Sequence, residues 1–231
     1  MNRGNQANRL REESRTIVPQ SSALDLTREV VALYAPFGWW RQFYARFRLA
    51  LSRLDQVEQF LPRAGRLLDL GCGYGVVANY LALASPEREV IGIDLDRRRI
   101  AVAQRTAANR ENITFIAGDV TQVALPVCDT ILMTDVLHHL DFKEQERSLI
   151  RLYSMLPANG RLLIQEVNTR PFFKYMCSHI ADIVLYPLDR PHFRCSADWV
   201  TFLTGIGFRQ VVTIPGDSKT IFARVSYHAY K

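Results

Sequence analysis

The chain has 231 residues, of which 48% are apolar and 23% charged, and it carries a formal net charge of +6. That length suits one α/β domain with a sizeable core and an appended N-terminal piece. The basic balance permits attraction to nucleic acid, anionic lipid or acidic substrates without choosing among them.

Four cysteines (Cys72, Cys128, Cys177 and Cys195) stand far apart with no C-x-x-C pair. This argues against a zinc site or a disulfide framework and for a reducing, cytoplasmic setting. The first residues, "MNRGNQANRLREESR", lack the apolar core of a signal peptide, and no run of 18 apolar residues offers a membrane span.

In chain order, residues 1–22 read as a polar, disordered tail. Residues 23–62 read as a helical cap. Leu24, Val30, Val31, Leu33 and Tyr34 recur at helical spacing, "PFG" interrupts, and a second helix runs from Trp40 through Phe43, Tyr44, Phe47, Leu51, Leu54 and Val57 to Leu61. Arg41, Arg46, Arg48 and Arg53 share that second helix, which Pro62 ends. From residue 63 onward strands and helices alternate. "RLLDL", "EVIGID", "ITFIAGD", "CDTILMTD" and "RLLIQEV" are the strands, with helical segments between most of them. Such alternation predicts a parallel sheet covered on both faces. Residues 168–195 are aromatic and broken by prolines, and read as a lid-like insertion. A helix capped by Ser196 follows. "FRQVVTIP" and "TIFARVSYHAY", joined by "GDSK", then predict an antiparallel hairpin. The expected fold class is therefore α/β: seven strands, mostly parallel, with an antiparallel C-terminal hairpin, helices on both faces and N-terminal helices in addition.

The most informative stretch is "LLDLGCGYGVVANYL", residues 67–81, where a strand hands over to a helix through three glycines. In an open α/β sheet this is where ligands bind. Glycines there admit unusual backbone angles and leave no Cβ to collide with the ligand. A P-loop is excluded because no Lys-Ser or Lys-Thr follows. The dinucleotide fingerprint G-x-G-x-x-G/A fails at Val76. What remains is Asp69-x-Gly71-x-Gly73-x-Gly75, with Asp94 ending the second strand 19 residues beyond Gly75.

This spacing resembles the first motif of the class I S-adenosylmethionine (SAM)-dependent methyltransferases, and the resemblance covers roughly residues 64–230. "AGDV", "TDVLHHL", "LPANGRLLIQEV" and "LTGIGF" extend it, with Asn159 in place of a turn glycine. The resemblance implies a Rossmann-like sheet and SAM as cofactor. It implies that Asp69, Gly71, Cys72, Gly73 and Gly75 form the cofactor loop. Asp94 would hold the ribose hydroxyls with Leu95 beside it. Asp119 would meet the adenine amino group and Val120 its ring, and Thr134, at the fourth strand, is counted among the cofactor-binding residues. Within the family the likeness is to small-molecule and lipid enzymes of the ubiquinone and menaquinone type.

Thr134-Asp135-Val136-Leu137-His138-His139 contains neither the N-P-P-Y or D-P-P-Y of amino-methylating relatives nor the Pro-Cys of cytosine enzymes. A nucleic-acid acceptor thus rests on net charge alone, and no metal ligand set is found. By resemblance, His139 aligns with the histidine of O-methylating relatives and is the candidate base or substrate-orienting group. His138 reads as a packed histidine. Tyr34, Trp39, Trp40, Phe172 and Phe173 are the candidate acceptor-lining residues, because N-terminal helices and the insertion after the fifth strand roof the acceptor site in relatives. The expected activity is methyl transfer to a small apolar or amphipathic acceptor, at oxygen before carbon or nitrogen. The alternatives are an RNA methyltransferase and a non-catalytic SAM-binding subunit. Arginines interleaved with aromatics also suit peripheral contact with an anionic membrane, and no pattern sets an oligomeric state.

Overall fold

The computed structural model describes residues 23–52, 54–185, 191–216 and 222–231. The expected tail, part of the expected lid and the tip of the expected hairpin lie outside them. The described chain opens with helix α1 (Ala23–Ala32), a 3-10 turn (Ala35–Phe37) and helix α2 (Trp39–Ser52). The segment that the apolar spacing predicts as a helix over residues 40–61 is α-helical on both sides of residue 53, which lies outside the described residues: helix α2 to Ser52 and α3 (Leu54–Val57), after which a 3-10 turn (Glu58–Phe60) completes the path to Pro62. The Ser52 hydroxyl bonds back to the Arg48 carbonyl, and the Ser52 carbonyl accepts from Gln165 Nε2 at 2.8 Å, which ties this helical segment to the sheet. The apolar stripe runs along it: Leu49, Leu54, Val57 and Leu61 are all buried.

The sheet begins with β1 (Gly65–Leu70), then α4 (Val76–Ala84), β2 (Arg88–Asp94), α5 (Arg97–Thr106), β3 (Ile113–Ala117), β4 (Thr130–Thr134), α6 (Phe142–Met155) and β5 (Arg161–Val167). Helices α7 (Phe172–Leu185) and α8 (Ser196–Gly205) precede β6 (Gln210–Pro215) and β7 (Arg224–Tyr230). The seven strands lie in the order β3-β2-β1-β4-β5-β7-β6. The first five are mutually parallel, and β7 is antiparallel to both β5 and β6. Chain order reverses between β1 and β4, which is the ligand-binding crevice of a doubly wound sheet.

Side chains alternate across the strands with period two. Leu67, Leu132 and Leu163 join a core layer with α1–α5, whereas Leu68, Ile131, Met133, Leu162 and Ile164 join the opposite layer with α6 and α8. Each fully buried leucine contributes about 1.5–3 kcal/mol, so the two layers fix the register of the central strands. Caps set two helix starts facing the crevice. Asp96 accepts from the backbone N–H groups of Arg98 and Arg99, and Asp141 from that of Glu144. Helix α8 differs from expectation: Ser196 is its first residue, and Cys195 at the cap makes no side-chain bond. The Ser196 hydroxyl is engaged with the Tyr227 phenol instead.

Candidate active site

The glycine loop stands at the carboxyl end of β1, and its three glycines all have positive φ: 75° at Gly71, 55° at Gly73 and 77° at Gly75. Their surroundings differ. A Cβ on Gly71 would overlap the Val136 side chain, and one on Gly75 would meet the Phe115 ring. These two glycines allow close packing. At Gly73 the nearest atom is the Tyr44 hydroxyl, 3.9 Å away, so this backbone faces open space. Gly73 N–H donates to Asp94 Oδ2 at 2.8 Å, and Asp96 N–H donates to Asp94 Oδ1 at 2.9 Å. The Asp94 carboxylate is thereby fixed at the end of β2 beside the loop, with lone pairs left for further donors.

Beneath the loop, Tyr34 is fully buried. Its hydroxyl donates to the Tyr74 carbonyl at 2.8 Å and accepts from Asn79 Nδ2 at 3.1 Å. Burial drives its pKa upward. Expected among the acceptor-lining residues, Tyr34 instead joins α1 to the loop and α4. Tyr44 and Tyr74 meet edge to face above Gly73, and the Arg41 guanidinium lies 4.7 Å from the Tyr74 ring centre.

Asp69 shares the Leu67 face of β1 and is fully buried, and neither carboxylate oxygen has a hydrogen-bond partner among the described residues. Burial raises its pKa to about 7, reinforced by Asp94 and opposed by the positive charge of Arg48 and the nearby Ala78 N–H. Cys72 sits in the same loop, and burial raises its thiol well above the ordinary range, so it is not a thiolate nucleophile.

Leu95 is exposed beside Asp94, and Val120 packs partly against the core. The Asp119 carboxylate is occupied locally. It accepts from the Thr121 N–H and hydroxyl and from Gln122 Nε2, and the Thr121 bonds hold its pKa down. The structure therefore brings Leu95 and Asp94 together, but turns the Asp119 carboxylate into its own turn.

The end of β4 carries the densest polar cluster. Thr134 is buried, and its carbonyl accepts from Arg48 Nη2 at 2.8 Å. Asp135 follows at φ 55°, uncommon for a residue with a Cβ. Its carboxylate accepts from Arg48 Nη1 and from Arg224 Nη1, the latter at 2.6 and 2.5 Å to its two oxygens. Burial alone would raise its pKa, but the charges of Arg224 and Arg48 outweigh that and hold it well below the usual carboxylate range.

One turn further, His138 and His139 lie on a 3-10 turn (Leu137–His139) with ring centres 4.2 Å apart. His138 is the buried member. Its Nδ1 lies 2.6 Å from Glu166 Oε2, and its ring stacks on Phe193. Glu166, itself buried on β5, also accepts the N–H groups of Val136 and Leu137 at 3.1 and 2.8 Å. His139 is half-buried beside it. Asp135, Glu166 and Arg224 were not singled out from the sequence. A carboxylate inside the apolar strand "RLLIQEV" was the available signal for Glu166.

The expected roof residues are exposed: Trp39, Trp40, Phe172 and Phe173 all stand in solvent. Along α2 an aromatic ladder runs Trp39–Trp40–Phe43–Phe47 and ends against Phe222, with successive ring centres 5.5–6.2 Å apart. No group of His, Cys, Asp and Glu able to hold a metal exists among the described residues.

A seven-stranded sheet in this order, with an antiparallel β7 and a glycine loop at the switch point, is the class I SAM-dependent methyltransferase fold. Residues 67–160 match the profile of the methyltransferase domain family. The demethylmenaquinone methyltransferase of Thermus thermophilus is 31% identical over 144 residues, 62% of this chain and 64% of that protein. The malonyl-[acyl-carrier protein] O-methyltransferase of Halalkalibacterium halodurans is 27% identical over 118 residues, 49% and 42% respectively. The chain thus spans less than two thirds of either relative. Among solved structures, magnesium protoporphyrin IX methyltransferase from Synechocystis PCC 6803 with bound SAH superposes with a TM-score of 0.62 at 20% identity, covering 98% of this chain and 95% of that one. That likeness speaks to the fold.

The donor set fits SAM. Gly73 offers an open backbone, Asp94 an oriented carboxylate for a diol, and Asp69 a buried carboxylate beside the loop, suited to a cationic ligand.

Proposed function

We propose that the protein is a SAM-dependent methyltransferase acting at an oxygen of a small apolar or amphipathic acceptor. The observation that carries this reading is the open backbone at Gly73, tied to the Asp94 carboxylate at the switch point of the sheet. SAM, when bound, supplies a methyl group activated by its sulfonium. Gly71, Gly73 and Gly75 shape the loop, Asp94 takes the ribose hydroxyls, Leu95 and Val120 flank the base, and Asp69 favours the cationic end. Catalysis then requires alignment and exclusion of water rather than a protein nucleophile. The small-molecule relatives named above and the absence of a planar-nitrogen motif after β4 both support a small acceptor.

A hydroxyl acceptor must lose a proton. His138 suits this better than His139. Glu166 as acceptor fixes the His138 tautomer with Nδ1 protonated, which makes Nε2 its basic nitrogen. Titration calorimetry with SAM tests the first half of the reading, and no heat from a folded protein overturns it. Incubation with methyl-labelled SAM and a fractionated cell extract tests the second. Label in the organic or small-solute fraction supports it. Label in RNA or in no fraction transfers the case to the RNA-modifying or non-catalytic alternative.

A further inference from the structure

Glu166 holds the His138 imidazole by Nδ1, and a hydrogen bond at that one atom does not by itself fix the ring plane. A swing about the contact moves Nε2, on the far side of the ring, the most. A base whose lone pair must meet an acceptor proton needs that swing removed, because a small misplacement of a reacting group costs a large share of the rate. The face that removes it comes from a distant part of the chain. The Phe193 ring lies against His138 with centres 5.2 Å apart and planes 23° from parallel. His139, by contrast, is tilted 43° to its neighbour and offers no parallel face.

Phe193 is half-buried, yet it is held from several directions. The residue before it ties the segment to the histidine turn: His192 N–H donates to the His138 carbonyl at 2.7 Å. Gln145, fully buried on α6, donates through Nε2 to the His192 carbonyl at 2.9 Å and to the Leu140 carbonyl at 3.0 Å. Its Oε1 accepts from Arg194 Nε at 2.8 Å, and Arg194 Nη2 donates to the Phe142 carbonyl at 3.1 Å and to Glu146 Oε1 at 2.8 Å. The residues on both sides of Phe193 are thus bonded to α6 or to the turn. Helix α7 braces the ring itself: Tyr175 and His179 meet it edge to face, with centres 5.4 and 5.7 Å away. If Phe193 only filled space, any apolar side chain of similar volume would serve. What this arrangement specifies is the plane of one ring against that of another.

We propose that Phe193 is a positioning residue: it sets the plane of the His138 imidazole, and so the aim of Nε2 at a hydroxyl acceptor, while Gln145 and Arg194 hold the segment that carries it. This deepens the methyltransferase reading with His138 as base and rests on it. Phe193 acts through His138 and takes part in no bond change.

Two variants separate the ring face from the apolar volume: Phe193→Leu loses the face and stays apolar, and Phe193→Tyr keeps the face. Carbon-13 relaxation of histidine-labelled full chain, saturated with SAH, reads how far the His138 ring swings, its signals being identified by their loss in His138→Gln. Methyl transfer from labelled SAM into a cell extract reads the reaction. The His138 ring is expected to be as ordered as the backbone in wild type and Phe193→Tyr, and measurably more mobile in Phe193→Leu. Transfer is expected to fall roughly tenfold or more in Phe193→Leu, to stay near wild type in Phe193→Tyr, and SAH affinity to be unchanged in both. An equally ordered His138 ring in Phe193→Leu overturns the proposal, and slower transfer would then mean that Phe193 acts on the acceptor or the fold. A mobile ring with full-rate transfer overturns it too, as does a tyrosine variant as slow as the leucine one. No transfer by wild type, or full-rate transfer by His138→Gln, is a separate result that defeats the reading on which the proposal rests, and the relaxation data still decide whether Phe193 sets the ring plane.

Discussion

At the scale of single residues, Asp94 makes the sharpest claim. Two backbone N–H groups orient its carboxylate, and removing it leaves cofactor hydroxyls unpaired. Asp94→Ala is expected to cost roughly 1–3 kcal/mol of SAM binding, read by calorimetry, with the melting transition retained. Equal affinity in a folded variant would remove Asp94 from the site. The histidine pair gives a comparison rather than a single number. If His138 takes the proton, His138→Gln should lower kcat by about 10²–10⁴, whereas His139→Gln should leave it within a few-fold and both should keep SAM affinity. The reverse ranking would return the role to His139. Asp69 makes a pH prediction. Burial raises its folded pKa from 3.8 to about 7, so the folded state binds this proton more tightly than the unfolded chain. The resulting stability is fully present below the unfolded pKa and is lost as pH rises through 7. Asp69→Asn removes that dependence. Relative to wild type, the variant should gain roughly 2 kcal/mol between about pH 5.5 and pH 8 in denaturant melts. Parallel profiles for the two proteins would show that Asp69 does not titrate there.

At the scale of elements, the N-terminal cap is fastened to the sheet by polar bonds that apolar spacing does not display. Glu58, on the 3-10 turn after α3, accepts from both Nη atoms of Arg88 at 2.8 Å, and Arg88 at the start of β2 is 1% exposed. Arg88 also donates to the carbonyls of Pro62 and Leu81 at 2.7 and 3.1 Å. Removing one partner of such a pair strands the other charge, so Glu58→Ala should cost about 3–5 kcal/mol in urea unfolding. A loss under 1 kcal/mol would mean that the pair is wetter than its burial implies. The same elements show what a sequence can carry. The seven strands were legible because each is a short apolar run between helical patterns, and the hairpin because its joint is short. The tie between Ser52 and Gln165 was not, because it is a contact between residues 113 positions apart.

Across the whole molecule the division is similar. The cofactor loop was readable because its chemistry is local: glycines at fixed spacing, followed by an acid at the next strand end. The cluster at β4 was not, because Asp135 meets Arg48 and Arg224 from 87 and 89 positions away. His138 was read as a packed histidine, and its burial agrees. Its bond to Glu166 depends on the β4–β5 register that sets Thr134 beside Gln165. The surface leaves one global question, which the charge and the aromatics pose together. Trp39, Trp40 and Phe43 on α2 and Phe172 and Phe173 on α7 are all exposed. The two helices approach a common segment, since Phe47 meets Phe222 and the Ser178 hydroxyl accepts the Ala223 N–H. No helix among the described residues is long and apolar enough to cross a membrane, so any membrane contact made by these helices would be peripheral. A chain of net charge +6 with such a face should bind anionic vesicles by combining apolar insertion with attraction to headgroups. Wild type is expected to co-sediment with phosphatidylserine-containing vesicles and not with neutral ones. The pair Trp39→Ala, Trp40→Ala should weaken that binding roughly tenfold or more, since each ring loses part of the 1.5–3 kcal/mol that full burial of a large apolar side chain contributes. Added salt should weaken wild type further, because the electrostatic part is screened beyond about 10 Å at 0.1 M. Binding that depends on salt but not on the tryptophans would assign the effect to diffuse charge. No binding by either protein would leave these aromatics as a roof over the acceptor alone.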